Sequence, residues 1–309
     1  MRLNDVEVLM TTFNGEKYIY DQLDSLLTQN YDFFSVSIYD DGSTDKTVSI
    51  IKSFIKENNL SNWKLTKNIH NKGWKKNFID AVRFSKARFL LFCDQDDIWY
   101  ENHINEMTEI MKDNNDIKVL CSNYEIISFS NTVIDKKKYF KNDSTLNKIK
   151  VSESNFNVLR PGCSYCLDGD FARIQALDWL SGCPHDQYFW ILSLFNDSLY
   201  LYNKVLMGYR RHDSNNSGLI KTRKEMVIRL EQDLNLIKYL YELKSRQNFF
   251  PNNTVDQVLR KQEKFIELKL DIYRRKNLRK IIPLIFKYQK CYISWKHMVL
   301  EVKNCFLLN

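Results

Sequence analysis

The sequence predicts an α/β protein on a mainly parallel, doubly wound sheet, followed by an all-helical C-terminal region. Three observations carry this expectation. Short apolar runs alternate with segments of helical period over the first hundred residues, the pattern of strand–helix units feeding a parallel sheet. One run, Phe89 to Cys93, holds five apolar residues without a polar interruption, as a strand buried on both faces requires. After Thr222 the pattern changes: no glycine follows Gly218, and apolar residues recur at helical spacing.

Taken in order, Val6–Thr12 reads as a first strand, with Phe13-Asn14-Gly15 turning into a helix over Glu16–Gln29. There Ile19, Leu23, Leu26 and Leu27 fall on one face. Phe34–Tyr39 reads as a second strand, ending in Asp40-Asp41-Gly42-Ser43-Thr44-Asp45, and Val48, Ile51 and Ile55 mark the next helix. A third strand (Trp63–Thr66), a helix from Trp74 to Ser85 and the central strand Phe89–Cys93 complete the alternation. A helix over Tyr100–Lys112 and a strand over Val119–Ser122 follow, then a Lys- and Asn-rich excursion, Asp135–Lys150. Beyond it come a turn at Arg160–Ser164, a helix over Asp170–Leu180, an aromatic helix over Gln187–Phe195 and a strand over Ser198–Lys204. Tyr209-Arg210-Arg211-His212 then precedes the loop Asp213–Gly218.

The central strand stops in three carboxylates, Asp94, Asp96 and Asp97. Such a cluster stays ionised only when solvent or a cation screens it, and an all-oxygen set suits a hard divalent ion, Mg²⁺ or Mn²⁺. A polar loop in which Asp97 caps the following helix explains the same residues. The turns Thr11–Gly15, Asp40–Asp45 and Asp94–Asp97 all close strands, and a doubly wound sheet binds its ligands outside those ends.

With 309 residues, the chain has room for a large domain and an appendage. Its net charge of +8 suggests an anionic partner, yet basic residues alternate with acids through most of the chain, so no nucleic-acid stripe is expected. Seven cysteines without repeated spacing point to reduced thiols and a cytoplasmic setting. Cys163 and Cys166 have CxxC spacing but no second pair, so structural zinc is not expected. Neither a cleavable leader nor a run of 18 apolar residues is evident.

A domain boundary is expected near 218–222. Met226, Leu230, Leu234, Ile237 and Leu240 form one helical stripe, and Val258, Phe265, Leu268 and Ile272 another. Arg274–Leu308 mixes basic and apolar residues. That composition suits a basic amphipathic helix on an anionic membrane, peripheral at the inner face of the cell membrane. It equally suits a helical pair packed on the rest of the chain or on a second copy in a homo-oligomer.

Five motifs in fixed order carry a resemblance over residues 6–218: Thr12-Phe13-Asn14-Gly15, the Asp40–Asp45 turn, Asn71-Lys72-Gly73, Asp94-Gln95-Asp96-Asp97, and His185-Asp186 ahead of an aromatic helix. Together they resemble the GT-A glycosyltransferases of family 2. Tyr209–His212, followed by Asn215 and Gly218, is similar to rhamnosyltransferases and to capsule and O-antigen transferases. The resemblance implies a GT-A nucleotide-sugar-binding fold with a donor half (1–122), an acceptor half (123–218) and a helical region (219–309). It implies an inverting, metal-dependent transfer of one sugar from a UDP- or dTDP-sugar to an oligosaccharide acceptor, free or lipid-linked, in bacterial surface polysaccharide biosynthesis.

By the same resemblance, Asp41 accepts the imide N–H of uracil or thymine, and Thr11, Thr12 and Asn14 lie against the nucleotide. Asp96 ligates Mn²⁺ or Mg²⁺, Asp94 holds ribose or metal, and His212 supplies a further ligand. Arg210 and Arg211 are alternative grips on the diphosphate. Asp186 is the general base, with the start of the next helix as its other task, and His185 orients it or reads the acceptor. Trp190, with Tyr188 and Phe189, is either core or a sugar platform; Lys72 either touches phosphate or is simply exposed; Asp45 closes an Asx-type turn. The chain has no Gln-x-x-Arg-Trp motif, so a processive synthase is not expected, and His-Asp stands where the family usually has Glu-Asp. The contrasting expectation is a non-catalytic scaffold that recruits partners through its helical tail. A nucleotidyltransferase would need a Gly- and Arg/Lys-rich loop where Thr11–Gly15 stands.

Overall fold

The computed structural model describes residues 5–135, 142–212, 222–247 and 253–308. In chain order these form β1 (Val6–Thr12), α1 (Ile19–Leu27), β2 (Phe34–Asp40), α2 (Thr47–Glu57), β3 (Trp63–Lys67), α3 (Trp74–Phe84) and β4 (Phe89–Cys93). Then follow β5 (Ile98–Trp99), α4 (His103–Asp113), β6 (Val119–Ile127), β7 (Val133–Asp135), β8 (Leu146–Lys148), β9 (Tyr165–Asp168) and α5 (Gly169–Leu177). The rest comprises α6 (His185–Phe195), β10 (Leu199–Arg210), α7 (Arg223–Gln247), α8 (Asn253–Arg275), α9 (Ile281–Lys287) and α10 (Trp295–Leu307). The chain divides into two compact units: Met1–Lys148 with Arg160–Ser193 and Ser198–Asp213, and Ile149–Leu159 with Leu194–Asp197 and Ser214–Asn309.

The first unit holds the sheet, in the order β3-β2-β1-β4-β9-β6-β10-β5. The strands β3, β2, β1 and β4 are mutually parallel, as are β6 and β10. Between β4 and β6 lies β9, antiparallel to both. All five residues of β4 are buried, as expected of the continuous apolar run. On α1, Ile19, Leu23 and Leu26 are fully buried in the same core as Val8, Met10 and Val36, each such side chain worth about 1.5–3 kcal/mol. Leu27 is exposed at the edge of that face.

Two local readings change. Ile98 and Trp99 pair with Gly208 and Met207 as β5, so α4 starts only at His103 and Asp97 caps no helix. The last strand runs on to Arg210. Its pairing with β6 slips between Tyr202 and Met207, and this bulge breaks the alternation by which the continuation is read from sequence. Tyr209 and Arg210 therefore sit on a strand end opposite Ile126 and Ile127. Asp213 to Gly218 lie outside the described residues.

In the second unit α7 and α8 form an antiparallel hairpin. Glu231 meets Arg274, Tyr241 donates to Glu263, and Lys244 pairs with Asp256, an order only opposed helices allow. Both predicted stripes supply buried residues, among them Leu230, Ile237, Leu240, Val258 and Phe265. Residues Ile149–Leu159 join this unit: Gln262 donates to the carbonyl of Glu153 at 2.6 Å, and Asn157 to that of Cys291 at 3.0 Å.

Candidate active site

The turns that close β1, β2 and β4 meet at one edge of the sheet. Thr11 and Thr12 are buried at the end of β1, and the Thr12 hydroxyl donates to Asp40 Oδ2 at 3.0 Å. Asp40 also accepts the amides of Gly42 and Ser43 at 3.2 and 2.9 Å, a tight turn that Gly42 permits at φ +85°. Asn14, itself left-handed at φ 48°, accepts the Thr44 amide through Oδ1 at 2.9 Å. Asp45 accepts the amides of Thr47 and Glu16, both at 3.0 Å, so it joins the first two turns. Burial raises its carboxyl, but the Thr47 hydroxyl, which also donates to it, and these amides outweigh burial and hold it below the usual range.

Asp41 points away from this knot. It is buried and accepts Asn68 Nδ2 at 3.0 Å and the amides of Lys72 and Gly73, both at 2.9 Å. A carboxylate offers about four acceptor positions, so it can take one further N–H. The Lys72 ammonium goes elsewhere, to Asp80 Oδ2 at 3.0 Å. Asp80 is raised by burial, yet Lys76 and Lys72 together hold it below its ordinary value. Lys72 is exposed, one of the two alternatives read for it, and its backbone amide also serves Asp41.

At the end of β4 the acids crowd together. One ligand atom each of Asp94, Asp97 and Cys163 lies within 4.8 Å of the other two. Burial, then the charges of Asp96 and Asp186, push Asp94 up to about 7. Burial and the charges of Asp96 and Asp94 push Asp97 well above the carboxylate range. Its Oδ1 accepts the Arg210 amide at 2.9 Å, while its Oδ2, buried, meets no hydrogen-bond donor among the described residues. Burial and the same acids push the Cys163 thiol up, so it stays a thiol and a poor ligand. Cys166, inside β9, is not part of this group.

His212 Nε2 lies 2.7 Å from Asp96 Oδ2, although the two are 116 positions apart in sequence. Tyr18 stacks on the imidazole, with centroids 4.7 Å apart at 23°. A carboxylate oxygen and an imidazole nitrogen thus converge beside two further acids, whose charge no basic side chain among the described residues offsets. This oxygen-rich donor set with one nitrogen fits a divalent ion such as Mn²⁺.

Arg210 is not a diphosphate grip. It is fully buried, donating from Nε to the Asp96 carbonyl at 2.7 Å and from Nη1 to those of Ser128 and Phe129 at 2.8 and 2.9 Å. It braces the acidic turn against the end of β6. We expect Arg210→Met to strand these carbonyls and to lower unfolding stability by about 3 kcal/mol, read as a shift in the urea midpoint. Arg211 is exposed, its guanidinium over the Tyr209 ring at 5.2 Å.

Trp190 is core: it is fully buried, as are Tyr188 and Phe189. His185, 4% exposed, stacks on Phe78 at 4.1 Å and meets Phe92 and Trp74 edge-on at 4.9 and 5.5 Å. Burial pushes its pKa down to about 3, so the ring is neutral, and neither nitrogen has a partner among the described residues. Asp186 follows in the first turn of α6 and accepts the Gln187 amide at 2.8 Å. Against both packs Gly162, where an added Cβ would lie 2.7 Å from His185 Nε2 and 3.0 Å from Asp186 Cβ. Gly162→Ala is expected to displace this pair, costing about 1–3 kcal/mol and lowering kcat; an unchanged melting curve and unchanged kcat would refute the close fit.

Sequence reasoning passed over three supporting residues. Gln95 ties the ends of β4 and β1 together, accepting the Phe13 amide at 2.8 Å and donating to its carbonyl at 3.1 Å. Its position inside the Asp94–Asp97 run is the signal that marks it. Cys163 and Tyr18 carry no such signal, because only tertiary packing brings them here.

A doubly wound sheet whose parallel strand ends gather these turns and acids is a GT-A-like domain, the class in which transfer from activated sugars is found. Residues 7–174 match the Glycosyl transferase family 2 domain, and the chain belongs to that family. Asp186 and His212 lie beyond the matched residues. The chain is 28% identical to the dTDP-rhamnosyl transferase RfbG of Shigella flexneri, over 68% of this chain and 73% of that one. It is 29% identical to an uncharacterized glycosyltransferase of Rickettsia typhi, over 68% of this chain and 64% of that protein. Among solved structures, S. aureus TarS in complex with UDP-GlcNAc superposes with a TM-score of 0.59 at 16% identity, covering 99% of this chain and 90% of that one. The Pyrobaculum calidifontis mannosyltransferase PcManGT, with GDP-Man and Mn²⁺, also gives 0.59, at 12% identity, covering 97% and 85%.

Proposed function

We propose that this glycosyltransferase moves one sugar, with inversion, from a UDP- or dTDP-sugar to a hydroxyl of an oligosaccharide acceptor, free or lipid-linked, in bacterial surface polysaccharide synthesis. The observation that carries the reading is the contact of His212 with Asp96 beside Asp94, with the charge of Asp186 close enough to raise Asp94. Asp41 takes the imide N–H of the base through its remaining acceptor position. Thr11, Thr12 and Asn14 wall the nucleotide side. Asp186 takes the acceptor proton while the acceptor oxygen bonds the anomeric carbon and the bond from that carbon to the diphosphate breaks on the opposite face. Asp96 and His212, with Asp94 beside them, would hold a divalent ion, which would supply positive charge to the leaving diphosphate. Arg211, exposed just past the end of β10, offers its guanidinium to the diphosphate.

The relatives' names support the donor class: RfbG is a dTDP-rhamnosyl transferase and TarS was solved with UDP-GlcNAc. No observation favours the scaffold reading. The test is a thermal-shift titration against UDP- and dTDP-sugars, each with Mn²⁺ and with EDTA. Saturation at a hundredfold excess over Kd stabilises by about 2.7 kcal/mol, so one donor should raise Tm with metal and not with EDTA. A folded sample that shifts with none of the donors defeats the reading.

A further inference from the structure

We propose that the exposed face of α9 and α10 docks on the headgroup layer of an anionic lipid bilayer. The inference goes beyond the transfer reading and rests on separate residues. From Arg274 to Leu308 the chain carries nine Lys and Arg against one acid, Glu301, a net +8. The whole chain's formal surplus is also +8, so the remaining Lys and Arg balance the remaining acids. Glu301 does not offset this charge at the surface. It is buried, paired with Lys269 at 3.1 Å and accepting from the Tyr273 hydroxyl at 3.0 Å. Within the segment Arg274 pairs with Glu231, and Arg275 and Lys280 pair with Asp271, so the positive charge it shows to solvent rests on the exposed Lys276, Arg279, Lys287, Lys290, Lys296 and Lys303.

The same segment is unusually apolar where it meets solvent. On α9, Ile282 and Phe286 stand one turn apart and exposed, Phe286 by 75%, while Ile281 and Leu284 face inward. On α10, Trp295, Val299 and Phe306 recur at helical spacing along one exposed arc, Trp295 by 68% and Phe306 by 60%. Glu301, Cys305 and Leu308 occupy the buried side. Lys296 and Lys303 share the exposed arc with the aromatics. Long basic side chains on an apolar arc can bury their stems while the ammonium reaches headgroup phosphate.

Large exposed aromatics call for a covering surface, and the charge selects which. A second copy of this chain would bring the same positive face against itself, and like charges brought together oppose association. Anionic phospholipid complements the lysines and accepts the aromatics at the acyl boundary. No described helix is long and apolar enough to cross a membrane, so α9 and α10 would lie in the interface.

The experiment is co-sedimentation of the full chain with vesicles of phosphatidylcholine alone or mixed with phosphatidylglycerol, at low and high salt. Binding is expected to the mixed vesicles only, with release by salt. The double variant Phe286→Ser with Trp295→Ser should weaken partitioning by about tenfold or more, as should Lys→Gln at 287, 290, 296 and 303 together. Both variants should keep the wild-type Tm and the turnover of a water-soluble acceptor. Failure of the transfer reading would appear in that turnover and not in sedimentation. The Lys variant leaves the apolar face intact, so the proposal remains testable should the double variant misfold. Equal binding to both vesicle types, or none by folded protein, overturns it. So does a dimer in sedimentation velocity that the double variant dissolves, or vesicle binding that both folded variants retain.

Discussion

Asp186→Asn is expected to lower kcat by roughly 10²- to 10⁴-fold, the contribution of a positioned general base, while donor affinity in the thermal-shift titration stays at the wild-type level. The substitution keeps the shape and still accepts the Gln187 amide, a bond made through Oδ1 at 2.8 Å, so α6 starts as before. What disappears is the basic oxygen. The effect should fall on kcat more than on the acceptor KM, because an interaction realised as the proton moves is absent from the ground state. Asp186 contributes to raising Asp94, so removing its charge also lightens the load on the acidic cluster. A structural role would give a different pattern: lower Tm with kcat per folded molecule preserved. That pattern, or an unchanged kcat, removes Asp186 from the chemistry.

The elements legible from sequence were those whose signal is local. The run Phe89–Cys93 and its terminal acids announced β4 and the Asp94–Asp97 turn, and the spacing of Ile19, Leu23 and Leu26 announced α1. The features that were not legible depend on distant partners. Nothing in Tyr165–Asp168 says that this strand wedges between β4 and β6, because that pairing is fixed by Leu90 and Leu120 meeting Leu167 and Cys166. Arg210 sits in a motif that reads as a phosphate grip, yet carbonyls of Asp96, Ser128 and Phe129 claim its guanidinium. Residue type announces a capacity for charge and hydrogen bonding; burial decides which partner uses it. Trp190 makes the same point in apolar terms, since a helix buried on all sides has no polar face to betray its orientation.

Asp96→Asn should separate two forces acting on the same cluster. With EDTA present, the variant is expected to melt at or above the wild-type temperature, because the charge of Asp96 raises both Asp94 and Asp97 and its removal relieves that repulsion. The amide keeps an oxygen for a His212 N–H, the contact now spanning 2.7 Å, so Tyr18 and the imidazole hold their stack. With Mn²⁺ present the order reverses. Wild-type protein gains about 2.7 kcal/mol at a hundredfold excess of metal over its Kd, whereas the variant, lacking the anionic oxygen, gains little. Turnover of the variant should fall by at least 10²-fold, on the order of the loss when one preorganised stabiliser of a leaving charge is removed. The crossing of the two melting orders is the informative result, since a purely structural Asp96 would destabilise equally with and without metal. If the variant binds Mn²⁺ as the wild type does and turns over at a near-normal rate, the ion is held elsewhere in the cluster and the pair Asp96–His212 is a structural contact.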